Sequence, residues 1–556
     1  RIKQESPVRK FAAGGAPRVA GGAPRVAGGA PRARIAPGGG RLALLLALPV
    51  LLLLLLALPA HPREHSLPQT TPEQTTALQI LRETVAAVEE NYALLPDLKK
   101  IYAAGLKAMV RAIKGRKVKL SRPTLRRATL TAGQERIEVR FGRGGRLDLA
   151  AFERAYRFAL SGAGAGEKSR DLKVMFAALE AMVTSLDRFS GFLTPDAFRE
   201  LQVSTSGRYG GLGIRITFRD GRLTIIAPIE NTPAFRAGLQ AGDQIVAVEG
   251  DDTSGFSLLD AVKRLRGPPG STVRISVLRE GWTSPREFVI VRAVIRNRSV
   301  RSRVLEGGIG LLRISTFHDG TTSELDRELS RLMEAKVSGI ILDLRNNPGG
   351  LLRQSVRVAE RFLPEGNMIV FTRGRHRDQA LQFQSRTDGR WSRRPLVVLT
   401  NKGSASASEI VAGALQDLKR AILVGQTTFG KGSVQTIIPL SYGAGIRLTA
   451  AHYYTPLGRG IHGKGIAPDV EAKNPAPQNP PAAPKAPRDA RPAAPDLPLE
   501  IAQHVLREVG GGGFEKMRAA AVRYRNLRRK RISQARPPVK KPVGGKQAAP
   551  AAPDRP

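Results

Sequence analysis

The chain has 556 residues, a formal net charge of +42 and no cysteine. That length exceeds what one hydrophobic core supports, so two or three domains with extensions are expected, and the missing thiols exclude disulfides and thiolate metal sites. Arginine rises together with Ala, Pro and Gly along the whole chain and is not interleaved with aromatics, which argues for compositional bias over a nucleic-acid partner.

Residues 1–41 carry the repeat GGAPRVAGGAPRVAGGAPRA, which has no apolar periodicity and predicts disorder. A leucine-rich run follows at 42–60, with arginines before it and HPREHS after it. A basic lead and an apolar run predict a signal peptide or an N-terminal membrane anchor, although Pro49 and Pro59 interrupt it. The positive-inside rule then places the later chain outside the cytoplasmic membrane, in the cell envelope: periplasmic or extracytoplasmic, with the inner membrane as the site of any anchor.

Residues 66–199 read as a helical N-terminal region. LQILRETVAAVEENY and LKKIYAAGLKAMVRAI place apolar residues at i, i+3, i+4 and i+7. A basic, Gly-rich insertion occupies 115–146, and further helical stretches lead to MVTSLDRFSGFLTPDAF (182–198). Short strands separated by turns fill 210–280, and from 305 to 470 strands alternate with helices in an α/β pattern. Residues 474–556 turn Pro/Ala- and Lys/Arg-rich and read as a linker with a solvated basic arm, broken by helical stretches near 497–509 and 514–532.

Within the strand-rich part, GRYGGLGIRI (207–216) sets glycines ahead of a strand, and NTPAFRAGLQAGDQIVAVEG (231–250) follows. Successive backbone N–H groups in such a loop form a nest for a carboxylate, beside a strand that can accept a peptide. The second stretch resembles the PDZ signature of helix, Gly-Asp turn and strand. A PDZ domain is therefore expected at 200–282, with Tyr209, Gly210, Gly211, Leu212, Gly213 and Ile214 as its carboxylate loop and Arg208 as an added charge.

Farther on, PLVVLTNKGSASASEIVAGALQD reads as strand, Gly turn, helix. A serine at that junction meets the helix dipole and free N–H groups that favour an oxyanion. Ser404, Ser406 and Ser408 each fit this role or that of a helix cap. Of the seven histidines, His452 and His462 lie near enough in sequence to build a Ser-His-Asp site with Asp469. Lys431, between Gly430 and Gly432, is the sharper candidate for the proton acceptor. It has to fall from about 10.4 to roughly 7–8 to act as a base, a cost of ~4 kcal/mol that burial supplies. Gln435, four residues on, is placed to hold the amine without adding charge.

GSASASEIVAGALQD followed by RAILVGQTTFGKGSVQ resembles the signature of the carboxyl-terminal processing (tail-specific) proteases, Ser-Lys serine endopeptidases with an embedded PDZ domain. The resemblance implies Ser406 as nucleophile, Lys431 as base and Gln435 orienting the lysine. GIILDLRNNPGGLL (339–352) matches the family's strand-turn motif, which implies an oxyanion hole made by Gly349 or Gly350 with Ala407. Asp417 matches a position sometimes given a supporting role.

The fold class this implies is α/β and multidomain. An α/β serine-protease core (ClpP/crotonase-like, 283–473) carries an inserted β-rich PDZ domain and an N-terminal helical region. No metal or organic cofactor is required. The expected partners are protein substrates bound by their C-terminal carboxylate, with the membrane through 42–60 and an adaptor or activator protein as further candidates. Two other readings compete: a catalytically inactive PDZ scaffold, and the Ser-His-Asp hydrolase.

Overall fold

The computed structural model describes residues 71–113, 118–121, 127–132, 134–140, 149–161, 170–474, 496–509 and 513–534. The repeat at 1–41, the apolar run at 42–60 and the chain beyond 534 lie outside them.

Helix α1 (Pro72–Asn91) opens on a capping box between Thr71 and Gln74, with proline in its first turn, where no N–H is required. After α2 (Leu98–Ala112), the basic stretch forms an antiparallel sheet of β1 (Val118–Leu120), β2 (Arg127–Ala132) and β3 (Glu135–Arg140). Strands were not expected there. Ala128, Leu130 and Val139 are buried between polar or charged neighbours, a period-2 pattern that the basic composition hides. Helices α3 (Leu149–Leu160) and α4 (Arg170–Thr184) share one core with α1 and α2. Strand β4 (Gly191–Leu193) and α5 (Pro195–Ser206) lead out of this region.

Two short strands flank the PDZ-like unit: β5 (Arg208–Gly211) on entry and β12 (Ala293–Arg296) on exit, paired antiparallel. Between them run β6 (Ile214–Arg219), β7 (Arg222–Pro228), α6 (Pro233–Arg236), β8 (Gln244–Val248), β9 (Asp251–Asp252), α7 (Leu258–Leu265), β10 (Thr272–Leu278) and β11 (Arg286–Val291). The sheet order is β11-β10-β8-β7-β6, which leaves β6 as a free edge.

The remaining elements in chain order are β13 (Val300–Leu305), β14 (Ile309–Ile314), α8 (Thr321–Glu334), β15 (Gly339–Asp343), α9 (Leu352–Glu360), β16 (Met368–Gly374), β17 (Gln382–Gln384), β18 (Leu396–Thr400), α10 (Ala407–Asp417), β19 (Ile422–Gly425), β20 (Ser433–Pro439), β21 (Gly445–Tyr454), β22 (Val470–Glu471), α11 (Leu497–Val509) and α12 (Phe514–Gln534). The main sheet runs β13-β14-β15-β18-β19-β22 and is parallel from β14 onward. A second, antiparallel sheet runs β17-β16-β21-β20, with β4 on β21.

Parallel strands need cover on both faces. Ile340, Leu342, Leu396, Val398 and Leu423 enter the core under α8, α9 and α10. Ile341, Val397, Leu399, Ile422 and Val424 face the other way, against α11 and α12. The tail therefore departs from the expected solvated arm over 496–534. Ile501, Val505, Leu506, Met517, Ala520 and Ala521 are buried, because the second face of the sheet has to be closed. Asp496 adds an ion pair to Arg345, which Asp343 also holds. Among the described residues no helix is long and apolar enough to cross a membrane.

Candidate active site

β18 ends at Thr400 and the chain turns through Asn401–Ala405 into α10. Ser404 and Ser408 are fully buried, and their hydroxyls donate to the carbonyls of Leu344 (2.8 Å) and Asn347 (3.0 Å). Both fasten this turn to the loop after β15. Ser406 is half-exposed and sits at the N-cap with φ 56° and ψ −115°. A non-glycine residue in that region is strained, and such strain persists only where the surroundings impose it.

The surroundings are dominated by Glu409, a carboxylate with no solvent exposure. Its Oε2 accepts from the backbone N–H of Ser406 (2.7 Å) and of Lys431 (2.8 Å). Its Oε1 accepts from the Gly430 N–H (2.7 Å) and the Thr428 hydroxyl (2.5 Å). One side chain thus joins the serine turn to the lysine loop.

Lys431 Nζ donates to Gln435 Oε1 (3.2 Å), and Gln435 Nε2 donates to the Phe189 carbonyl (2.7 Å). The amine lies 5.3 Å from the centre of the Phe189 ring. Burial holds its pKa below the ordinary lysine value, and the Arg447 charge adds to this; Asp187 and Glu409 oppose. The Phe189 segment is itself fixed by Asp187, which accepts from the N–H groups of Phe189 (2.7 Å) and Ser190 (2.9 Å) and from the Ser190 hydroxyl (2.8 Å). Tyr453 donates to the Lys431 carbonyl. Burial raises its phenol well above the usual tyrosine range, against the hydrogen-bond influence of the Ser406 side chain.

Gly349 (φ 103°) faces the serine turn, and Gly350 (φ 143°) packs against the Phe317 backbone. A Cβ on Gly349 would stand 2.7 Å from Ser406 Cβ and 2.9 Å from Ala407 N, so only glycine fits. The Gly349 N–H is already donated to Asn347 Oδ1 (2.9 Å). The N–H groups of Gly350 and Ala407 have no acceptor among the described residues.

Other expected residues fall elsewhere. Asp469 accepts the Leu423 N–H (2.8 Å) inside the main sheet. His452 and His462 stack edge to face at 4.8 Å, and the buried His452 Nδ1 has no hydrogen-bond partner among the described residues. No hydrogen bond among the described residues links either histidine to Ser406 or Asp469, so the Ser-His-Asp set is not assembled. Asp417 pairs with Arg459 and accepts the Leu457 N–H (2.9 Å), which ties down the end of α10. Sequence reasoning missed Glu409, Asp187, Phe189, Tyr453 and Asn347. Glu409 had a local signal, the Ser-x-x-Glu spacing of a capping box.

At the PDZ-like unit, Tyr209, Gly211, Leu212, Gly213 and Ile214 line a groove between the β6 edge and α7, closed by Leu265 and Arg266. Gly213 has φ 80°, and its carbonyl accepts from the Ile229 N–H (2.8 Å), so the loop is held while its own N–H groups face outward. Arg208 lies exposed on β5, whereas the Arg266 guanidinium covers the Tyr209 ring at 4.5 Å.

Peptidase family S41 matches residues 308–472, and the PDZ domain family matches residues 210–285. A carboxy-terminal-processing protease of Bartonella bacilliformis is 43% identical over 312 residues, covering 55% of this chain and 71% of that protein. A carboxyl-terminal-processing protease of Synechocystis is 42% identical over 316 residues, covering 55% of this chain and 73% of that protein. The solved photosystem II D1 C-terminal processing protease is 28% identical, with a TM-score of 0.37, over 72% of this chain and 94% of that one. With the α/β core, the PDZ unit and these relatives together, the chain belongs to the carboxy-terminal processing proteases, serine peptidases of family S41 that carry a PDZ domain.

Proposed function

We propose that Ser406 is the nucleophile, Lys431 the general base and acid, and Gln435 the residue that orients the lysine. The observation that carries this is the shared Glu409 oxygen, which fixes the backbones of Ser406 and Lys431 against each other. A substrate's C-terminal carboxylate docks on the N–H groups of the Leu212–Ile214 loop, and its last residues extend along β6. The scissile carbonyl carbon is attacked by Ser406 Oγ, whose proton passes to Lys431 Nζ. The tetrahedral oxyanion is held by the N–H groups of Gly350 and Ala407. Collapse breaks the C–N bond while the Lys431 ammonium protonates the leaving amine. Water, deprotonated by Lys431, then hydrolyses the acyl-enzyme.

The apolar run at 42–60 behind its basic lead supports an extracytoplasmic site of action, with membrane attachment until any cleavage. The test is cleavage of an unfolded protein ending in apolar residues by the parent chain, Ser406→Ala and Lys431→Ala. Cleavage by the parent alone supports the Ser-Lys protease. Binding of the tail without cleavage by any of the three supports a scaffold, or an enzyme awaiting an activator. Cleavage by Lys431→Ala overturns the assignment of the base.

A further inference from the structure

A second groove, of about 470 Å³, lies between α9 and β17. It repeats the physical plan of the PDZ groove, a helix beside an edge strand. β17 ends its sheet and, among the described residues, pairs only with β16, in a register that turns the backbone groups of Gln382 and Gln384 outward. On the helix side, Arg353, Val356, Arg357 and Glu360 form one face at i, i+3, i+4 and i+7.

The charges on the walls are unequal. Glu360 is buried and already used: Oε1 accepts the Arg386 N–H (2.6 Å), and Oε2 lies 3.5 Å from Arg361. Arg353 pairs with Asp319 at the rim. The guanidiniums of Arg357 and Arg386 are exposed, with no ion pair or hydrogen bond among the described residues. Edge strands usually carry charge to repel other strands. Here the charge left unpaired is of one sign and frames the open edge.

We propose that this groove binds an extended acidic segment of the polypeptide substrate, adding it to β17 as a strand whose carboxylates meet Arg357 and Arg386. Calling the occupant a substrate rests on the protease reading. No glycine loop is among the groove's described lining residues, so it lacks the carboxylate nest that would favour a terminus and suits an internal segment. α9 starts at Leu352, two residues after Gly350, so a chain engaged at the proposed oxyanion donors passes near the Arg353 end. Half-buried Phe383 is the only aromatic on its walls, so the groove offers no stacking platform for nucleic-acid bases.

The test uses the full chain and a labelled Glu/Asp-rich peptide with an amidated C-terminus, which the PDZ nest cannot hold. Arg357→Glu with Arg386→Glu should weaken its binding about tenfold or more at low salt. Arg301→Glu with Arg303→Glu, the same change of net charge on exposed β13, should leave it unchanged. With a cleavable substrate, the groove variant should raise KM for an acidic-tract version and leave both kcat and a neutral-tract version unaffected. Equal weakening by both charge reversals, or none by the groove pair, overturns the proposal, as does preferential capture of single-stranded DNA by the same arginines. Loss of all cleavage with peptide binding intact would instead count against the protease reading, because the binding arm needs no catalysis.

Discussion

Glu409 and Lys431 are joined through a backbone N–H, and the same carboxylate oxygen receives the N–H of Ser406. The relation is not a charge contact between side chains. It sets where two loops stand, and the reacting side chains follow.

Glu409→Ala would leave four donors, two of them buried, without this acceptor. At about 1–3 kcal/mol for each unsatisfied group, the loss should exceed ~3 kcal/mol, with cleavage abolished. Glu409→Gln, which keeps one acceptor oxygen and the volume, should fold and lose less stability. Its activity should still drop by about 100-fold, since its amide would face N–H groups. Denaturant unfolding with parallel kinetics separates the two effects, and a fully active Glu409→Gln would show that the tether is dispensable.

Burial, and then Arg447, keep Lys431 below its unfolded value of 10.5. Between the folded and unfolded pKa the unfolded chain binds more protons, so this group's contribution makes stability rise with pH across that window. Lys431→Met should therefore raise the thermal midpoint below the window, with the gain vanishing above pH 10.5. The same variant should lose at least about 10³-fold in kcat. In the parent, kcat/KM should climb with pH to a plateau reached below the ordinary lysine range.

Asp187 is pushed up by burial, but the hydroxyl and N–H of Ser190, the Phe189 N–H and Thr449 outweigh this and leave its carboxyl below the usual 3.8. Its stabilisation is present above that value and is lost as pH falls through the lowered one. Asp187→Asn should flatten acid unfolding in this window. It should also slow cleavage about tenfold or more by loosening the Phe189 carbonyl that holds Gln435. Unchanged kinetics at pH 7 would separate the segment from the chemistry.

A methyl at Gly213 meets the Thr232 side chain at 2.3–2.5 Å in a backbone with φ 80°. Gly213→Ala should reduce tail-dependent cleavage by about tenfold or more while sparing short peptides that do not reach the PDZ groove, as the ratio of the two kcat/KM values would report.

The strand-turn-helix that carries the proposed nucleophile was legible because its glycines and serines serve a local geometry. The glycine loop before β6 was legible for the same reason. Local reasoning did not choose among three serines. The family resemblance singled out Ser406, and the hydroxyls of Ser404 and Ser408 are occupied by the Leu344 and Asn347 carbonyls, about sixty residues away in the chain. Glu409 escaped notice because a capping glutamate normally serves its own helix, and three of its four bonds here leave the serine turn. In the tail, Met517, Ala520 and Ala521 form a narrow apolar seam within a strongly basic helix. Composition averages that seam away.

The sheet face that α11 and α12 cover is completed only after the proposed site residues have been made. A nascent chain that has already made Ser406 and Lys431 still exposes Ile341, Val397 and Val424, and Arg345 still awaits Asp496. At about 5–20 residues per second, this immature interval lasts several seconds. The order of translation thus leaves this face of the sheet uncovered until residues 496–521 have been made. A chain stalled before residue 496 should stay inert to a serine-directed probe that labels the released protein.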